Sequence, residues 1–305
     1  MKKLTTDFCG VTFPTPLVLA SGIVASPEGL LACARERGIG GITSKSVSIE
    51  PRAGHPTPVV VPYSSGFINS VGLKNPGLKQ AVQDIKKMKL KSKVPVIASI
   101  VAFQLSEFYP LAHEIAKAKP DLIEVNLSCP NVDDEGGKPY ATDALLSALA
   151  IQEVKQAVKT IPIVAKLSPN VIDIKEIARA VVDAGADAIS AINTVGPGLL
   201  IDLKTRKPKL GHGVGGISGA SIKPLALRIV RDIATSVSVP IIGMGGVRSG
   251  LDALEMIAVG ATLVGIGSAM YGVGNPIFGK VYDEMIEGLE THGISDVKKL
   301  RHSVV

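Results

Sequence analysis

Apolar residues in this chain fall in short unbroken blocks rather than in alternation with polar ones. The blocks are LVLASG (17–22), GGITSKS (40–46), VPVIASI (94–100), LIEVNLS (122–128), IPIVAKLS (161–168), AISAINT (188–194), VPIIGMGG (239–246) and LVGIGSA (263–269). Alternation would leave one face of a strand to water. Continuous runs predict strands covered on both faces, as in parallel sheets. Pro95, Pro162 and Pro240 stand at the openings of their runs, where a missing N–H costs a strand least.

Between these runs the spacing is helical. Ile174, Ile177, Ala178, Val181 and Val182 lie at i, i+3, i+4, i+7 and i+8, and Gly185 follows as a stop. Phe278, Val281, Tyr282, Met285, Ile286 and Leu289 repeat the pattern near the C-terminus. AGADAI (184–189) and VGATLV (259–264) are near-copies of one helix-to-strand turn. Strand followed by helix, eight times over, predicts an α/β fold of the (β/α)8 or TIM barrel type rather than an open sheet. No linker or compositional shift interrupts it, so residues 1–305 read as a single domain. Insertions are expected after strands 2, 4 and 6. Those at 47–75 and 195–217 are too long for plain strand-to-helix loops, and such loops are usually functional or disordered.

Composition narrows the class. With 305 residues, 46% of them hydrophobic, one large barrel can be filled. No apolar run approaches the ~18 residues of a membrane span, and MKKLTTDFCG carries two lysines but no apolar segment of a secretion signal. Three cysteines without a CxxC pair suggest a reduced, cytoplasmic protein. Neither they nor the five histidines (55, 113, 212, 292 and 302) have metal-ligand spacing, so no metal is expected. Cys9, expected in a short strand before the barrel, and Cys33, in the first helix, read as packing residues. A net charge of +6 raises nucleic acid as a partner. The densest basic stretch, KKMKLKSK (86–93), nevertheless reads as a helix end and turn, where cations suit the dipole, and no aromatics interleave with it. Nucleic-acid binding is not expected.

In a barrel of this kind the chemistry sits at the C-terminal strand ends. Those ends carry Ser21, Lys45, Ser99, Asn126 with Cys129, Lys166, Asn193 with Thr194, Gly245 with Gly246, and Gly267 with Ser268. A buried ammonium is costly unless paired. Lys45 and Lys166 therefore either snorkel outward, pair with a carboxylate such as Glu124, or together hold something anionic at one mouth. GMGG and GIGSA fit the phosphate pocket that barrels often build after strands 7 and 8, where bare backbone N–H groups approach the anion. Asn69, Asn126, Asn131 and Asn193 offer uncharged donors and acceptors suited to a flat polar heterocycle bearing a carboxylate. Cys129, within NLSCPN, stands at a strand tip rather than inside an element, an odd place for a thiol that merely packs.

NLSCPN, together with SKS (44–46), NSVGLKNPG (69–77), AKLSPN (165–170), INT (192–194), GGISGASIKPLALR (215–228) and GMGG, resembles dihydroorotate dehydrogenase, in order and over nearly the whole chain. The resemblance implies a flavin barrel that oxidises dihydroorotate to orotate in pyrimidine biosynthesis with FMN as cofactor. Cys129 is then the general base of class 1 enzymes, taking a proton from C5 while hydride leaves C6 for N5 of FMN; class 2 enzymes use a serine. A thiol, with a pKa near ~8.5, ionises usefully where a hydroxyl does not. Also implied are Asn69, Ser70, Val71, Gly72, Leu73, Asn126, Asn131, Asn193 and Thr194 around the pyrimidine, with Lys45 between substrate and flavin. Lys166 falls beside the flavin N1 and C2 carbonyl, balancing negative charge on the reduced ring. Gly219, Gly245, Gly246, Gly267 and Ser268 fall at the ribityl phosphate, and Ser21, Ser46, Ser99, Asn126 and Ile192 nearer the ring.

The sequence departs from the family pattern in three places: Ser99 where relatives usually carry asparagine, Pro139-Tyr140-Ala141 after strand 4, and extra glycine and proline in INTVGPGLLID. NSVGLKNPG is most like the class 1B catalytic subunit. That class implies a homodimer and a separate iron–sulfur/FAD subunit that passes electrons to NAD+. This chain shows neither a strand–GxGxxG–helix unit nor a cysteine cluster of its own. Two other barrels remain open: a tRNA dihydrouridine synthase-like enzyme, which needs an RNA-binding helical extension, and a non-redox phosphate-binding lyase or isomerase, which needs neither Cys129 nor the asparagines. A non-enzymatic basic interaction protein is disfavoured by polar strand ends converging on one mouth.

Overall fold

The computed structural model describes residues 4–127 and 139–304. Eight parallel strands close into a barrel in chain order. They are β1 Leu17–Leu19, β2 Gly41–Thr43, β3 Val96–Ile100, β4 Leu122–Asn126, β5 Ile163–Lys166, β6 Ala188–Ala191, β7 Ile241–Met244 and β8 Leu263–Ile266. Each lies inside one of the apolar runs, and Val264 pairs with Leu17 to close the ring. The helices are α1 Pro27–Cys33, α2 Leu78–Lys91, α3 Phe108–Ala116, α4 Ala144–Ala157, α5 Ile174–Asp183, α6 Lys223–Ala234, α7 Gly250–Ala258, α8 Met270–Val273 and α9 Ile277–Thr291.

The repeated turns have one geometry. Gly185 (φ 104°) and Gly260 (φ 116°) follow α5 and α7 in the left-handed region that favours glycine. In each, the next alanine N–H returns to a carbonyl five residues back: Ala186 to Val181 and Ala261 to Met256. On α5 the spaced residues Ile174, Ile177, Ala178 and Val181 are buried as the period requires.

The barrel interior is layered by the two-residue period of its strands. Val18, Ile97, Leu122, Val164, Ala188, Ile242 and Leu263 form one apolar layer, with Phe8 and Phe13 packed against it. These rings meet edge to face at 6.2 Å and come from an antiparallel hairpin, Thr6–Phe8 with Val11–Phe13, that plugs the N-terminal end. Cys9 was expected in a strand; it occupies the turn of this hairpin with φ 53°. Two residues farther along the strands the interior turns polar, with Ser99, Glu124, Lys166 and Ser190 all buried.

The insertions after β2 and β6 join each other. Val60–Tyr63 and Gly66–Asn69 pair with Val195–Leu199 and Val214–Ser218 in a four-stranded antiparallel sheet. The extra Gly196 and Pro197 fall where the register of that sheet shifts between Val195 and Gly198. The insertion after β4 lies mostly outside the described residues. Its end is anchored: Ala141 N–H donates to Leu127 O at 2.8 Å, and the Tyr140 hydroxyl donates to Phe103 O at 3.2 Å.

Candidate active site

A cavity of about 170 Å³ opens at the C-terminal strand ends. A single water needs roughly 10–15 Å³ of such space, so this is room for a ligand rather than a hydration pocket. Its deep end is Lys166, the last residue of β5, whose side chain is 6% exposed. Lys166 Nζ lies 3.6 Å from Oε1 of Glu124, itself 2% exposed. The pairing considered from sequence is therefore present, yet Lys166 also lines the cavity. Each buried charge is compensated by the other.

Glu124 is fixed in turn. Ser99 Oγ donates to Glu124 Oε1 at 3.0 Å and sits 2.9 Å from Ser46 Oγ, which accepts from Asn126 Nδ2 at 3.2 Å. This places Ser99 one layer behind the wall: it supports Ser46 and Glu124 and is not among the lining residues. Ser21 Oγ donates to Ser44 O at 2.8 Å and approaches Ser46 Oγ at 3.3 Å, completing the polar floor. Lys45 lines the cavity beside Gly22, where an added Cβ would come within 3.4 Å of its Nζ.

The insertion sheet forms the roof. Asn69 Nδ2 donates to Gly216 O at 3.2 Å. The Thr194 side chain lies against Gly216, where an added Cβ would meet Thr194 Oγ1 at 2.0 Å. Asn193 Oδ1 accepts from Thr194 N at 2.8 Å. Asn69, Val71, Gly72, Leu73, Asn193 and Thr194 thus reach the same cavity as Asn126 and both lysines. Ser70 does not: it is 1% exposed and its Oγ lies 2.8 Å from His55 Nδ1.

The opposite end is bare backbone. Gly219, Gly245, Gly246, Gly267, Ser268 and Ile192 all line it, as expected. Gly245 and Gly246 have φ 133° and 77°, and a Cβ on Gly246 would strike Lys223 Cβ at 2.6 Å. Gly267 differs: an added Cβ would find only ordinary contacts, the nearest being Ile23 at 3.6 Å. Behind this end Lys223 bridges Asp252 and Glu255 at 2.6 Å each. Burial pulls the Asp252 carboxyl upward, but Lys223 and the N–H of Arg248 outweigh it and hold its pKa below the usual value.

Sequence reasoning missed Arg248, Phe67 and Tyr271, which also line the cavity. Arg248 stands two residues past GMGG and was within reach of the same strand-end logic. Phe67 and Tyr271 meet edge to face at 5.2 Å across the insertion sheet and α8, a pairing that no local spacing announces. Cys129 and Asn131 lie outside the described residues. The other two thiols are remote from the cavity. Burial, then Asp187 and Asp7, pushes Cys9 up to about 12, and burial raises Cys33 as well.

A (β/α)8 barrel that brings buried polar side chains and the glycine turns after β7 and β8 into one cavity at its C-terminal strand ends has the architecture of a barrel enzyme, whose chemistry sits at that face. The family model described as dihydroorotate dehydrogenase matches residues 3–289. Two curated relatives, from Methanocaldococcus jannaschii and Pyrococcus abyssi, are each named "Dihydroorotate dehydrogenase B (NAD(+)), catalytic subunit". The first is 41% identical over 295 residues, covering 96% of this chain and 95% of that protein. The second is 39% identical over 300 residues, covering 97% of each. The chain belongs to the dihydroorotate dehydrogenase family. A solved Eimeria tenella dihydroorotate dehydrogenase, in complex with ferulenol, superposes with TM-score 0.83 over 100% of this chain and 89% of its own. At 22% identity that likeness speaks for the fold.

Proposed function

We propose that this chain is the FMN-binding catalytic subunit of a class 1B dihydroorotate dehydrogenase, oxidising dihydroorotate to orotate in pyrimidine biosynthesis. The observation that carries this is convergence: Lys45, Asn69, Asn126, Lys166, Asn193 and Thr194 meet the glycine ends of β7 and β8 in one cavity.

FMN fits the residues present. At Gly267 the protein's own packing leaves room for a methyl group, so the bare residue keeps space in the cavity rather than relieving a clash. Gly219, Gly245, Gly246 and Ser268 would hold the phosphate, and Lys166 the polar edge of the ring, with Ser21, Ser46, Asn126 and Ile192 beside it. FMN supplies the hydride acceptor. The asparagines and Thr194 orient the pyrimidine through neutral hydrogen bonds, and Lys45 offers a cation between the two ligands. Cys129, with Asn131 nearby in sequence, is assigned from the resemblance as the base that removes the C5 proton.

The B-type name of the relatives supports a partner subunit, read here as an iron–sulfur/FAD protein delivering electrons to NAD+, on a homodimer of this chain. A cytoplasmic location goes with that reading. Among the described residues no helix is long and apolar enough to cross a membrane.

The test is a visible spectrum of the purified protein, followed by anaerobic dihydroorotate. Flavin absorbance that bleaches on addition is expected. A protein that carries no flavin, and takes up none from added FMN, overturns the reading.

A further inference from the structure

The loop that presents Val71, Gly72 and Leu73 to the cavity holds one non-glycine residue in a backbone conformation that side chains disfavour. Gly72 and Leu73 are both in the left-handed region, at φ 69° and 54°, and Leu73 is not a glycine. Such conformations persist where the surroundings over-determine them. From below, Asn75 Nδ2 donates to Leu73 O at 2.9 Å. From behind, the support is His55.

His55 N–H donates to Val71 O at 3.1 Å, and its Nδ1 lies 2.8 Å from Ser70 Oγ. Gly72 packs closely against His55: an added Cβ would meet its Cδ2 at 2.5 Å. One face of the ring is covered by His212, stacked at 3.8 Å with 9° between the planes. His212 belongs to the insertion after β6, and Gly211 N–H ties that segment to Pro58 O at 2.9 Å. One pair of rings thus joins the segment 52–59, the loop 70–73 and the second insertion. Neither histidine lines the cavity.

We propose that His55 is a positioning residue for the substrate, holding loop 70–73 against the pyrimidine through Ser70 and Gly72, with His212 as the backing that keeps its ring in place. This rests on the reading that the loop faces dihydroorotate. Ser70 then acts through His55 rather than by touching the ligand.

The experiment compares His55→Leu, His55→Asn, Ser70→Ala and His212→Ala as flavin-loaded proteins. His55→Leu and Ser70→Ala should raise KM for dihydroorotate, and the orotate dissociation constant read from the flavin spectrum, more than they lower kcat. Displacing a substrate contact by about an ångström can cost on the order of 10²-fold in efficiency; roughly ten- to a hundredfold in kcat/KM is expected here. His55→Asn keeps a side-chain amide for Ser70 and should recover most of the loss, and His212→Ala should show the same split more weakly. Flavin content should stay at the wild-type level throughout, because the glycine cradle stands at the other end of the cavity. Wild-type kcat/KM in both His55→Leu and Ser70→Ala overturns the proposal, as does a loss confined to flavin content and melting temperature. If His55→Leu does not fold, Ser70→Ala, which removes one oxygen, decides. A wild-type protein whose flavin dihydroorotate does not reduce fails the functional reading instead, so the two failures are distinguishable.

Discussion

Lys166 and Glu124 form a buried ion pair at the wall of the cavity. Their separation of 3.6 Å, with both side chains almost fully buried, makes each the other's compensation. Removing one partner of a buried pair typically costs about 3–5 kcal/mol, because the survivor is left uncompensated. Lys166→Ala is therefore expected to lower stability by that order and to impair flavin retention and reduction together. The double variant Lys166→Met with Glu124→Leu should restore stability in chemical denaturation yet leave reduction slow. Full recovery of both would assign the lysine to packing alone. For Cys129→Ser a folded, yellow protein is expected, with flavin reduction by dihydroorotate slowed about 10²- to 10⁴-fold near neutral pH and partly recovered at high pH. A stopped-flow trace matching wild type at pH 7 would make Cys129 a packing residue. Cys9 gives the opposite expectation. Its pKa is raised from 9.0 to about 12, so its contribution to folding is complete below pH 9 and is lost as pH rises toward 12. A native-state alkylation assay at pH 8 should find Cys9 unreactive.

At the scale of elements, each apolar run was legible because a strand covered on both faces needs nothing but apolar side chains. The helix spacing and the Gly185 and Gly260 stops were legible for the same local reason. The insertion sheet was not. Two of its strands are rich in glycine (Gly196, Gly198, Gly215, Gly216), which lowers their β propensity, and the seam that joins the two insertions, Gly66–Asn69 with Val214–Ser218, pairs across more than a hundred residues of sequence. The polar interior layer was missed in part too. Glu124 reads as one charge in an apolar run until Ser99 and Lys166 are seen beside it, and that is why Ser99 was placed at the wall rather than behind it. The strand ends themselves make a prediction. Gly246→Ala should disturb the fold locally, since its Cβ collides with Lys223 and its φ is 77°. Gly267→Ala meets no such obstacle, so its melting temperature without flavin should match wild type while FMN affinity falls. Equal affinity in Gly267→Ala would remove β8 from the phosphate cradle.

On the scale of the whole molecule the question is where the electrons go after the substrate has lost them. Iron–sulfur clusters are commonly held by four cysteine thiolates; this chain has three cysteines in all. One is buried in α1 and one lies in the hairpin at the far end of the barrel from the cavity. Among the described residues no GxGxxG stretch runs from a strand into the start of a helix. Among the described residues no cluster of three or more His, Cys, Asp or Glu could hold a metal ion. On the proposed reading, FMN in this chain receives the hydride and a separate subunit relays single electrons to NAD+. Phe67 and Tyr271, whose rings meet at 5.2 Å, both line the cavity, and Tyr271 is also exposed at the surface. The isolated protein is therefore expected to pass electrons from dihydroorotate to small artificial dyes and to reduce neither NAD+ nor fumarate efficiently. NAD+ activity should appear on adding an iron–sulfur/FAD subunit of the kind the B-type relatives imply. Steady-state assays of the purified chain with each acceptor decide it: rapid fumarate turnover would place the protein with the class 1A enzymes, and rapid NAD+ turnover by the chain alone would overturn the need for a partner subunit.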